Sequence, residues 1–472
     1  MITLANSNFV PRPTARRSRA WPLLAACCLF LLGFPCRAAD TLTWNTNKNR
    51  VSADIHASPL LDVLEGIAGA TGWHVFVEPE TLHTVSAKFD NQPPTEALRI
   101  LLGDVNFALL PNPTNKSSSR LFVFRTGRQN ATQAVHAKAE SKPKVIPNEL
   151  IVRLKPGAKI DELAKLLGAK VIGRIDGLNA YRLRFDDEAA TDSARGQLSS
   201  NSDVASVDNN YTLDPLPSPQ AMQSGPSAGA PNLQMKAPPD SGRVIVGLVD
   251  TAVQPLGNNL DQFVLKQVSV AGDPQLDPNT PSHGTSMLET LLNSLQHVTG
   301  GSTSVQVLPV DVFGPNATTS TFDVANGIVQ AVNGGAKVIN LSLGSSGDSP
   351  FLRDVVNNAL SQNIMIIASA GNTGDTSVVY PAGYSGVNPV TALSDPNHIA
   401  SYADHGSWIN LGAPGTSLVP YNNQTWAVTG TSPAAAFTSG AAAGAMDSKH
   451  FTTAQAQTFI QRNFGITIPA GQ

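Results

Sequence analysis

Residues 430–440 of the 472-residue chain read Gly-Thr-Ser-Pro-Ala-Ala-Ala-Phe-Thr-Ser-Gly, and they predict a buried helix with a serine in its first turn. The residues after Ser432 are small and mostly apolar, which suits a helix packed on all sides. Pro433 has the fixed φ of a first helical residue, where its missing N–H costs little. Ser432 would then lie where free N–H groups and the helix dipole favour developing negative charge. The stretch predicts a nucleophilic serine, with an ordinary core helix as the alternative.

Three other stretches each bring a polar residue to the end of an apolar strand or to a glycine turn. Asp250 ends the apolar run 244–249, although an aspartate in that place is often a helix cap. His283 stands in Ser-His-Gly-Thr before an apolar run, where a lone histidine is more often structural. Asn372 follows a strand-like run between two glycines, which alone is an ordinary turn. Each stretch is weak evidence by itself, and their combination with Ser432 gives them their meaning.

The chain from residue 241 onward alternates short apolar strands with helix-like segments. This pattern predicts a doubly wound parallel α/β sheet, whose sites form beyond the carboxyl ends of its strands. The predicted strands cover residues 244–249, 305–312, 338–343, 364–368, 389–393 and 408–411, and the predicted helices cover residues 322–332 and 351–360.

The chain order Asp250, His283, Asn372, Ser432 resembles that of the subtilisin-like serine peptidases, the subtilases. The resemblance spans residues 242–444. Three further motifs contribute to it: Asn-Leu-Ser-Leu-Gly at 340–344, Ala-Ser-Tyr-Ala-Asp-His-Gly at 400–406 and Leu-Gly-Ala-Pro-Gly at 411–415. It implies a subtilisin-like fold for this region and the hydrolysis of peptide bonds.

The resemblance also implies a role for each of the four residues. A serine hydroxyl is a weak nucleophile at neutral pH and needs an adjacent base. His283 would take the proton of Ser432 and pass it to the leaving amine, while Asp250 would orient the imidazole and stabilise its charged form. The side-chain amide of Asn372 and the backbone N–H of Ser432 would hold the oxyanion of the tetrahedral intermediate.

The same resemblance implies that Ser342, Leu343 and Gly344 line the pocket and the edge that hold the substrate, which would bind as an added strand. Small, apolar pocket segments predict an uncharged residue before the scissile bond. The sequence departs from the family pattern at Glu289, a carboxyl on an otherwise buried helix. Glu289 would face a solvent channel or alter His283.

Two smaller regions precede this domain. Residues 51–126 read as a small α+β unit that resembles the short N-terminal domain of secretins and TonB-dependent receptors, a domain that binds partners. Residues 147–213 have the strand-helix-strand-strand-helix-strand order of a ferredoxin-like domain. They resemble the inhibitory propeptide of subtilases, notably in Glu-Leu-Ile-Val-Arg-Leu-Lys-Pro-Gly-Ala at 149–158.

Residues 127–146 are polar with few apolar residues and read as a linker. Residues 214–240 are rich in proline, glycine, serine and alanine, so we expect no ordered structure there, and nicking occurs most readily in such exposed segments. We expect the enzyme to cut itself between about Leu213 and Met235. The full predicted organisation is a signal peptide (1–39), a secretin-type domain (40–126), a linker (127–146), a ferredoxin-like inhibitory prodomain (147–213), a second linker (214–240) and a subtilisin-like peptidase domain (241–472).

Residues 1–39 carry five arginines, no acidic residue and an apolar run too short to span a bilayer stably. They predict a cleaved secretory signal, with an uncleaved anchor as the alternative. The three cysteines, Cys27, Cys28 and Cys36, all lie there, so the mature chain would have no thiol. Without the five arginines, 27 of the 32 basic residues remain against 35 acidic ones, a net charge of −8. This charge argues against non-specific binding to nucleic acid or anionic membranes.

These observations together predict a secreted or periplasmic serine endopeptidase made as a self-processing zymogen, with polypeptide substrates and its own prodomain as inhibitor. An envelope protein is the expected partner of the N-terminal domain, and no membrane span is expected after signal cleavage. No cofactor is expected, and isolated Asp273 and Asp277 are weak candidates for structural calcium. The alternative is a periplasmic binding or signalling protein whose peptidase fold is silent or only self-cleaving. A lipase lacks support because no Gly-x-Ser-x-Gly surrounds Ser432.

Overall fold

The computed structural model describes residues 41–45, 48–78, 81, 83–111, 119–131, 133–135, 143–213, 217–221, 233–236 and 244–466. The predicted signal peptide and the three cysteines lie outside these residues. The N-terminal region contains β1 (Thr41–Asn45), β2 (Arg50–Pro59), α1 (Leu60–Thr71), β3 (His74–Val77), β4 (Thr84–Gln92), α2 (Pro94–Leu102), β5 (Asn106–Leu110), β6 (Arg120–Phe124) and β7 (Gln133–Val135).

The N-terminal region forms two small sheets, with strand orders β1-β2-β4 and β5-β6-β3-β7. Buried residues of both helices and of both sheets share one apolar core. The apolar spacing and the prolines predict helices from residues 60 and 93, and the two helices start at Leu60 and Pro94. Strand β7 lies inside the stretch predicted as a linker, and it pairs antiparallel with β3. The stretch 127–146 that reads as a linker therefore contributes one strand, because polar composition does not prevent a strand from completing a sheet edge.

The second region contains β8 (Val145–Leu154), α3 (Ile160–Leu166), β9 (Lys170–Ile175), β10 (Ala180–Arg184), α4 (Glu188–Ser199) and β11 (Val204–Leu213). Its strands lie in the order β11-β8-β10-β9, and all of these neighbours are antiparallel. The side chain of Asp187 caps α4 by accepting from the backbone N–H of Ala190. The sequence pattern predicts this helix over residues 192–198, and the cap starts it four residues earlier.

The C-terminal region contains β12 (Gln220–Ala221), β13 (Ile245–Asp250), β14 (Val268–Ser269), α5 (His283–Thr299), β15 (Gln306–Asp311), β16 (Thr319–Ser320), α6 (Thr321–Asn333), β17 (Ala336–Leu341), α7 (Pro350–Ser361), β18 (Met365–Ser369), β19 (Asn388–Asp395), β20 (His398–Ile399), β21 (Leu411–Pro414), β22 (Thr416–Tyr421), β23 (Gln424–Thr429), α8 (Thr431–Ser448) and α9 (Thr453–Phe464).

The largest sheet has the order β14-β15-β13-β17-β18-β19-β20, with β21 paired to β19. Its neighbours are parallel except for β20, which is antiparallel to β19. Helices α5, α8 and α9 contribute to the apolar core on one face, and α6 and α7 contribute to the core on the other. This is the doubly wound α/β sheet that the alternating pattern predicts. The predicted strand at 408–411 is wrong, since β21 begins only at Leu411.

The second predicted linker also carries some order. Strand β12 pairs antiparallel with β23, with Gln220 opposite Ala427 and Ala221 opposite Trp426. Leu233 and Met235 are buried in the apolar core beside α5. The expectation that 214–240 lacks ordered structure therefore fails at these two short segments. Across the described residues, no helix combines the length and apolar character needed to cross a membrane.

Candidate active site

The predicted aspartate and histidine lie side by side at the carboxyl edge of the sheet. Asp250 is the last residue of β13, and His283 is the first residue of α5. The Nδ1 atom of His283 lies 2.7 Å from Oδ1 of Asp250. The same carboxylate oxygen accepts the backbone N–H of Thr251 at 2.7 Å. Asp250 is completely buried, so this short contact is protected from water and fixes which face the imidazole presents.

Local sequence sets the start of α5 and therefore the position of His283. The Ser282 hydroxyl caps the helix by accepting from the backbone N–H of Thr285 at 3.0 Å. The backbone N–H of Gly284 donates to the side chain of Thr251 at 2.8 Å. A Cβ atom at Gly284 would overlap the carbonyl of Thr251. Glycine is therefore required there for the helix to come this close to the end of β13.

Ser432 lies in the first turn of α8, as predicted, but the helix begins earlier than the proline suggests. Thr431 is the first helical residue, which makes Pro433 the third. Position three still has no intrahelical acceptor for its N–H, so a proline fits there as well. Ser432 is only 2% exposed. The serine is therefore buried at the helix end that carries the free N–H groups.

The serine hydroxyl is turned toward β17 instead of the histidine. Its Oγ donates to the carbonyl of Ser342 at 3.2 Å, and the Ser342 hydroxyl donates to the carbonyl of Ser432 at 3.0 Å. Within the described part of the chain, the buried Nε2 of His283 has no hydrogen-bond partner. The structure thus joins Asp250 to His283 and Ser432 to Ser342, and it does not show the predicted contact of Ser432 with His283.

Asn372 reaches the same helix end from the loop that follows β18. Its Oδ1 accepts from the backbone N–H of Thr431 at 2.7 Å and from the Thr431 hydroxyl at 3.1 Å. The side chain is exposed, and its Nδ2 remains as the donor side of the amide. An amide donor beside the N–H groups of a helix start is an arrangement suited to an oxyanion.

The three predicted substrate-binding residues follow β17 directly. Ser342 and Leu343 are buried, whereas Gly344 is half-buried. The next residue, Ser345, pairs with Tyr380 through two backbone hydrogen bonds of 3.0 and 2.8 Å. The segment 342–344 thus lies between β17 and this pairing, touches Ser432 through Ser342, and contains no charged side chain.

Glu289 lies on α5, six residues after His283, and is 4% exposed. The expectation that it faces a solvent channel is therefore wrong. Its Oε2 has no hydrogen-bond partner among the described residues. Burial raises the pKa of this carboxyl to about 8, so Glu289 holds its proton at neutral pH.

In the described part of the chain, the fold completes no set of metal-ligating side chains around Asp273 or Asp277, the two candidates for structural calcium. Asp277 uses its carboxylate within its own loop, where it accepts from the Asn279 N–H at 2.9 Å and from the Thr280 hydroxyl at 3.0 Å. No cluster of three or more His, Cys, Asp or Glu side chains suited to a metal ion occurs in the described ranges. The calcium site stays a prediction.

Two residues near the site carry no role in the sequence-based prediction. Thr431 binds the Asn372 side chain, and Asp404 binds the loop that contains Asn372. Both belong to motifs noted in the sequence, Gly-Thr-Ser and Ala-Ser-Tyr-Ala-Asp-His-Gly. The sequence signal for Asp404 is an aspartate between an alanine and a histidine in the second of these motifs.

Two known families match successive parts of the chain. The Subtilase family matches residues 241–467, and the fervidolysin N-terminal prodomain family matches residues 131–210. The chain is 34% identical to Subtilisin Savinase of Lederbergia lenta over 186 residues, which cover 37% of this chain and 69% of that protein. It is 26% identical to the thermophilic serine proteinase of Bacillus sp. (strain AK1) over 311 residues, which cover 63% of this chain and 77% of that protein.

Among solved structures, the chain is similar to fervidolysin from Fervidobacterium pennivorans, described as a keratinolytic enzyme related to subtilisin. The TM-score is 0.51 at 19% identity, and the match covers 63% of this chain and 54% of that one. At this identity the likeness concerns the fold alone.

Proposed function

The chain belongs to the subtilase family of serine peptidases and carries a fervidolysin-type prodomain, and on that premise we propose that it is a secreted or periplasmic endopeptidase made as a self-processing zymogen. In this proposal Ser432 is the nucleophile, His283 the general base and Asp250 the residue that orients it. The observation that carries the proposal is the 2.7 Å contact between His283 Nδ1 and Asp250 Oδ1, both buried, in a chain that has Ser432 in the first turn of α8.

The proposed reaction starts with a change of hydrogen bond at the serine. The hydroxyl of Ser432 leaves the carbonyl of Ser342 and donates to Nε2 of His283, whose partner position is open. Such catalytic hydrogen bonds are often absent or long before substrate binds. His283 takes the proton as Ser432 attacks the scissile carbonyl, and Asp250 stabilises the imidazolium. The histidine then gives the proton to the leaving amine, and water releases the acyl group by the same route.

The oxyanion of the tetrahedral intermediate would be held by the Nδ2 group of Asn372 and the backbone N–H of Ser432. The bond from Thr431 N–H to Oδ1 of Asn372 supports this role, because it fixes which end of the amide faces away from the helix. Preorganised donors of this kind stabilise developing charge at no reorganisation cost.

The substrate would lie along Ser342, Leu343 and Gly344 as an added strand. Strand addition satisfies the backbone groups of an extended polypeptide, whatever its sequence. The uncharged surroundings of this segment support a preference for an uncharged side chain before the scissile bond.

The prodomain would inhibit the enzyme from the face that carries α6 and α7. Arg153 contacts Asp354 at 2.7 Å, and Arg182 contacts Asp323 at 2.9 Å. The Asn210 side chain accepts from the N–H of Phe322 at 3.1 Å, near the start of α6. These contacts support a ferredoxin-like prodomain, with the strand order β11-β8-β10-β9, that docks on the peptidase domain.

The end of the prodomain leads toward the proposed catalytic groups. Leu213 pairs with Thr319 at the end of β11. Four residues later, Pro217 lies beside the helix start, since a Cβ atom at Gly430 would be 3.4 Å from Pro217 Cγ and 3.2 Å from Asn372 Nδ2. This course supports self-cleavage close to Pro217, within the predicted interval from Leu213 to Met235. N-terminal sequencing of the secreted protein tests it, and a mature start before residue 213 would contradict it.

The proposal is tested by turnover of casein and of a chromogenic peptide after processing. We expect hydrolysis by the wild type and by Ser448→Ala, a matched serine at the far end of α8, and none by Ser432→Ala. If no preparation hydrolyses either substrate, the alternative of a binding protein with a silent or only self-cleaving peptidase fold is favoured. The secretin-type character of the N-terminal domain and its envelope partner remain proposals, which capture with the domain from envelope extracts would address.

A further inference from the structure

Asp404 is a completely buried carboxylate that the reaction outlined above does not use. Its Oδ1 is an acceptor for one short loop. The donors are the backbone N–H and hydroxyl of Thr373 at 2.7 and 2.9 Å, the N–H of Gly374 at 2.8 Å and the N–H of Asp375 at 3.4 Å. One oxygen thus binds three consecutive residues that directly follow Asn372. Charged acceptors make the stronger hydrogen bonds to backbone N–H groups.

The main chain of Asp404 holds the other side of Asn372. Its N–H donates to the carbonyl of Gly371 at 3.0 Å. Gly371 has a φ of +119°, and a Cβ atom there would overlap the Asp404 carboxylate. Glycine is therefore required at 371 for the loop to lie this close to Asp404. The Thr391 hydroxyl donates to the Asp404 carbonyl at 2.6 Å, and this bond anchors the backbone of Asp404 to β19.

The loop transmits this support to the start of α8. The N–H of Gly371 donates to the hydroxyl of Thr431 at 3.1 Å, and Oδ1 of Asn372 accepts from the N–H of Thr431 at 2.7 Å. Asn372 is therefore bracketed by residues bound to Asp404 on one side and to the neighbour of Ser432 on the other. Because Asn372 is itself exposed, its position depends on these bonds and not on packing.

We propose that Asp404 is a positioning residue for oxyanion stabilisation, and that its ionised carboxylate holds the loop 371–375 so that the Asn372 amide and the start of α8 keep one fixed geometry. The inference rests on the proposed function, since it assigns Asp404 a part in the same reaction. The carboxylate does not touch the substrate. It acts through Asn372, where a displacement of about 1 Å can cost roughly 10²-fold in rate.

The surroundings of Asp404 make this support dependent on pH. Burial raises the pKa of Asp404, and the nearby carboxylate of Asp375 raises it further. The hydrogen bonds from Thr373 lower it, because they favour the charged form. The net result is a pKa of about 6. Among the described residues, the carboxylate of Asp375 is the charge that acts on Asp404, and Tyr402 and His405 are the titratable residues within two positions of it along the chain. Above pH 6 the ionised carboxylate accepts from the loop. Below pH 6 it becomes a neutral acid, and its charge-assisted bonds to the loop are lost.

The test compares kcat and KM of three processed enzymes, the wild type, Asp404→Asn and Asp447→Asn. The last of these is the matched control. Asp447 also binds a loop through its carboxylate, accepting from the Thr303 hydroxyl at 2.7 Å and the Ser304 N–H at 2.9 Å. It lies 15 residues beyond Ser432 on α8, about 22 Å along the helix. We expect Asp404→Asn to lower kcat at pH 8 by about 10- to 100-fold with KM nearly unchanged, and Asp447→Asn to leave kcat unchanged.

The pH profile separates positioning from a purely structural role. The ratio of wild-type kcat to Asp404→Asn kcat should fall from its value at pH 8 toward 1 as the pH drops through about 6, because protonation leaves the wild type with a neutral side chain at position 404. The wild-type profile should therefore contain an extra decrease of about 10- to 100-fold around this pH. A ratio that does not change with pH, or equal kcat in both proteins at pH 8, overturns the proposal. If the variant does not fold, a wild-type profile without the extra decrease overturns it. Absence of wild-type turnover would instead refute the proposed function itself, and the role of Asp404 with it.

Discussion

Glu149 in the second region and Glu289 on α5 are buried to the same degree, 2% and 4% exposed, yet their surroundings are opposite. The carboxylate of Glu149 contacts Arg182 at 2.6 Å and Arg184 at 2.9 Å, and it accepts from Asn210 at 2.8 Å. Glu289 has one oxygen without a hydrogen-bond partner in the described part of the chain.

The comparison teaches that burial alone does not determine charge. Burial pushes the pKa of Glu149 upward, but hydrogen bonds and charge from Arg182, with Asn210 and Arg184, hold it below its usual value. For Glu289, burial is the only cause of the pKa shift, and it raises the pKa to about 8. Glu149 therefore stabilises the folded protein as an anion, whereas Glu289 is buried as a neutral acid.

A third buried carboxylate, Asp250, has the largest expected effect. Its partner is the imidazole of His283, and Asp250→Asn keeps the shape while favouring the wrong tautomer. We expect kcat to fall by about 10⁴-fold, as in other serine peptidase triads. Hydrolysis of a chromogenic peptide by the processed variant measures it, and a loss smaller than tenfold would show that Asp250 does not orient the histidine.

Glu149→Gln should have the largest effect on stability. It leaves Arg182, which is mostly buried, without its carboxylate, and breaking such a pair costs about 3 kcal/mol. Urea unfolding in a Ser432→Ala background avoids self-cleavage during the measurement. Because the pKa of Glu149 is lowered in the folded state, its contribution is present at neutral pH and is lost as the pH falls through that lowered value. Stability equal to that of the parent at pH 7 would argue against the pairing.

Glu289→Gln should act in the opposite direction. Between 4.5 and about 8 the folded state binds more protons at Glu289 than the unfolded chain, so stability falls as the pH rises through this window and levels off above it. The variant should lack this slope and should be more stable than the parent at pH 9. The same unfolding series over pH 5–9 measures both effects. A variant less stable than the parent at pH 9 would mean that Glu289 has a partner when ionised.

Asp354→Asn should have the smallest effect. The ion pair of Asp354 with Arg153 is half-exposed, and such pairs contribute about 0–1 kcal/mol. We expect a small loss of affinity between the separately produced prodomain and peptidase domain, which disappears in high salt. Calorimetric titration at two salt concentrations measures it. A loss above tenfold would place this pair among the main contacts of the interface.

Strong local signals in the sequence predicted the sheet and the ends of its strands. Apolar runs such as 364–368 recur in the structure within one or two residues as β18. The carboxyl-edge rule correctly brought Asp250 to the neighbourhood of the α5 start. The start of α8 was missed by two residues, because a proline is acceptable at several positions of a first turn and sequence alone does not choose among them.

Features that depend on long-range pairing could not be predicted in the same way. Strand β12 is two residues long and exists because it meets the edge of β23. The hydrogen bond of Ser432 with Ser342 depends on a side-chain rotation that no pattern encodes. The support of Asn372 by Asp404 joins segments about thirty residues apart, and only the folded loop shows that one carboxylate oxygen binds three successive residues.

The central claim is that Ser432 is activated by His283, and covalent labelling tests it most directly. Processed protein is treated with a fluorophosphonate and the modified residue is identified by mass spectrometry. The account predicts a single modified serine at 432, with labelling abolished in His283→Ala and retained in Ser448→Ala. Labelling at another serine, or undiminished labelling of Ser432 in His283→Ala, would contradict it.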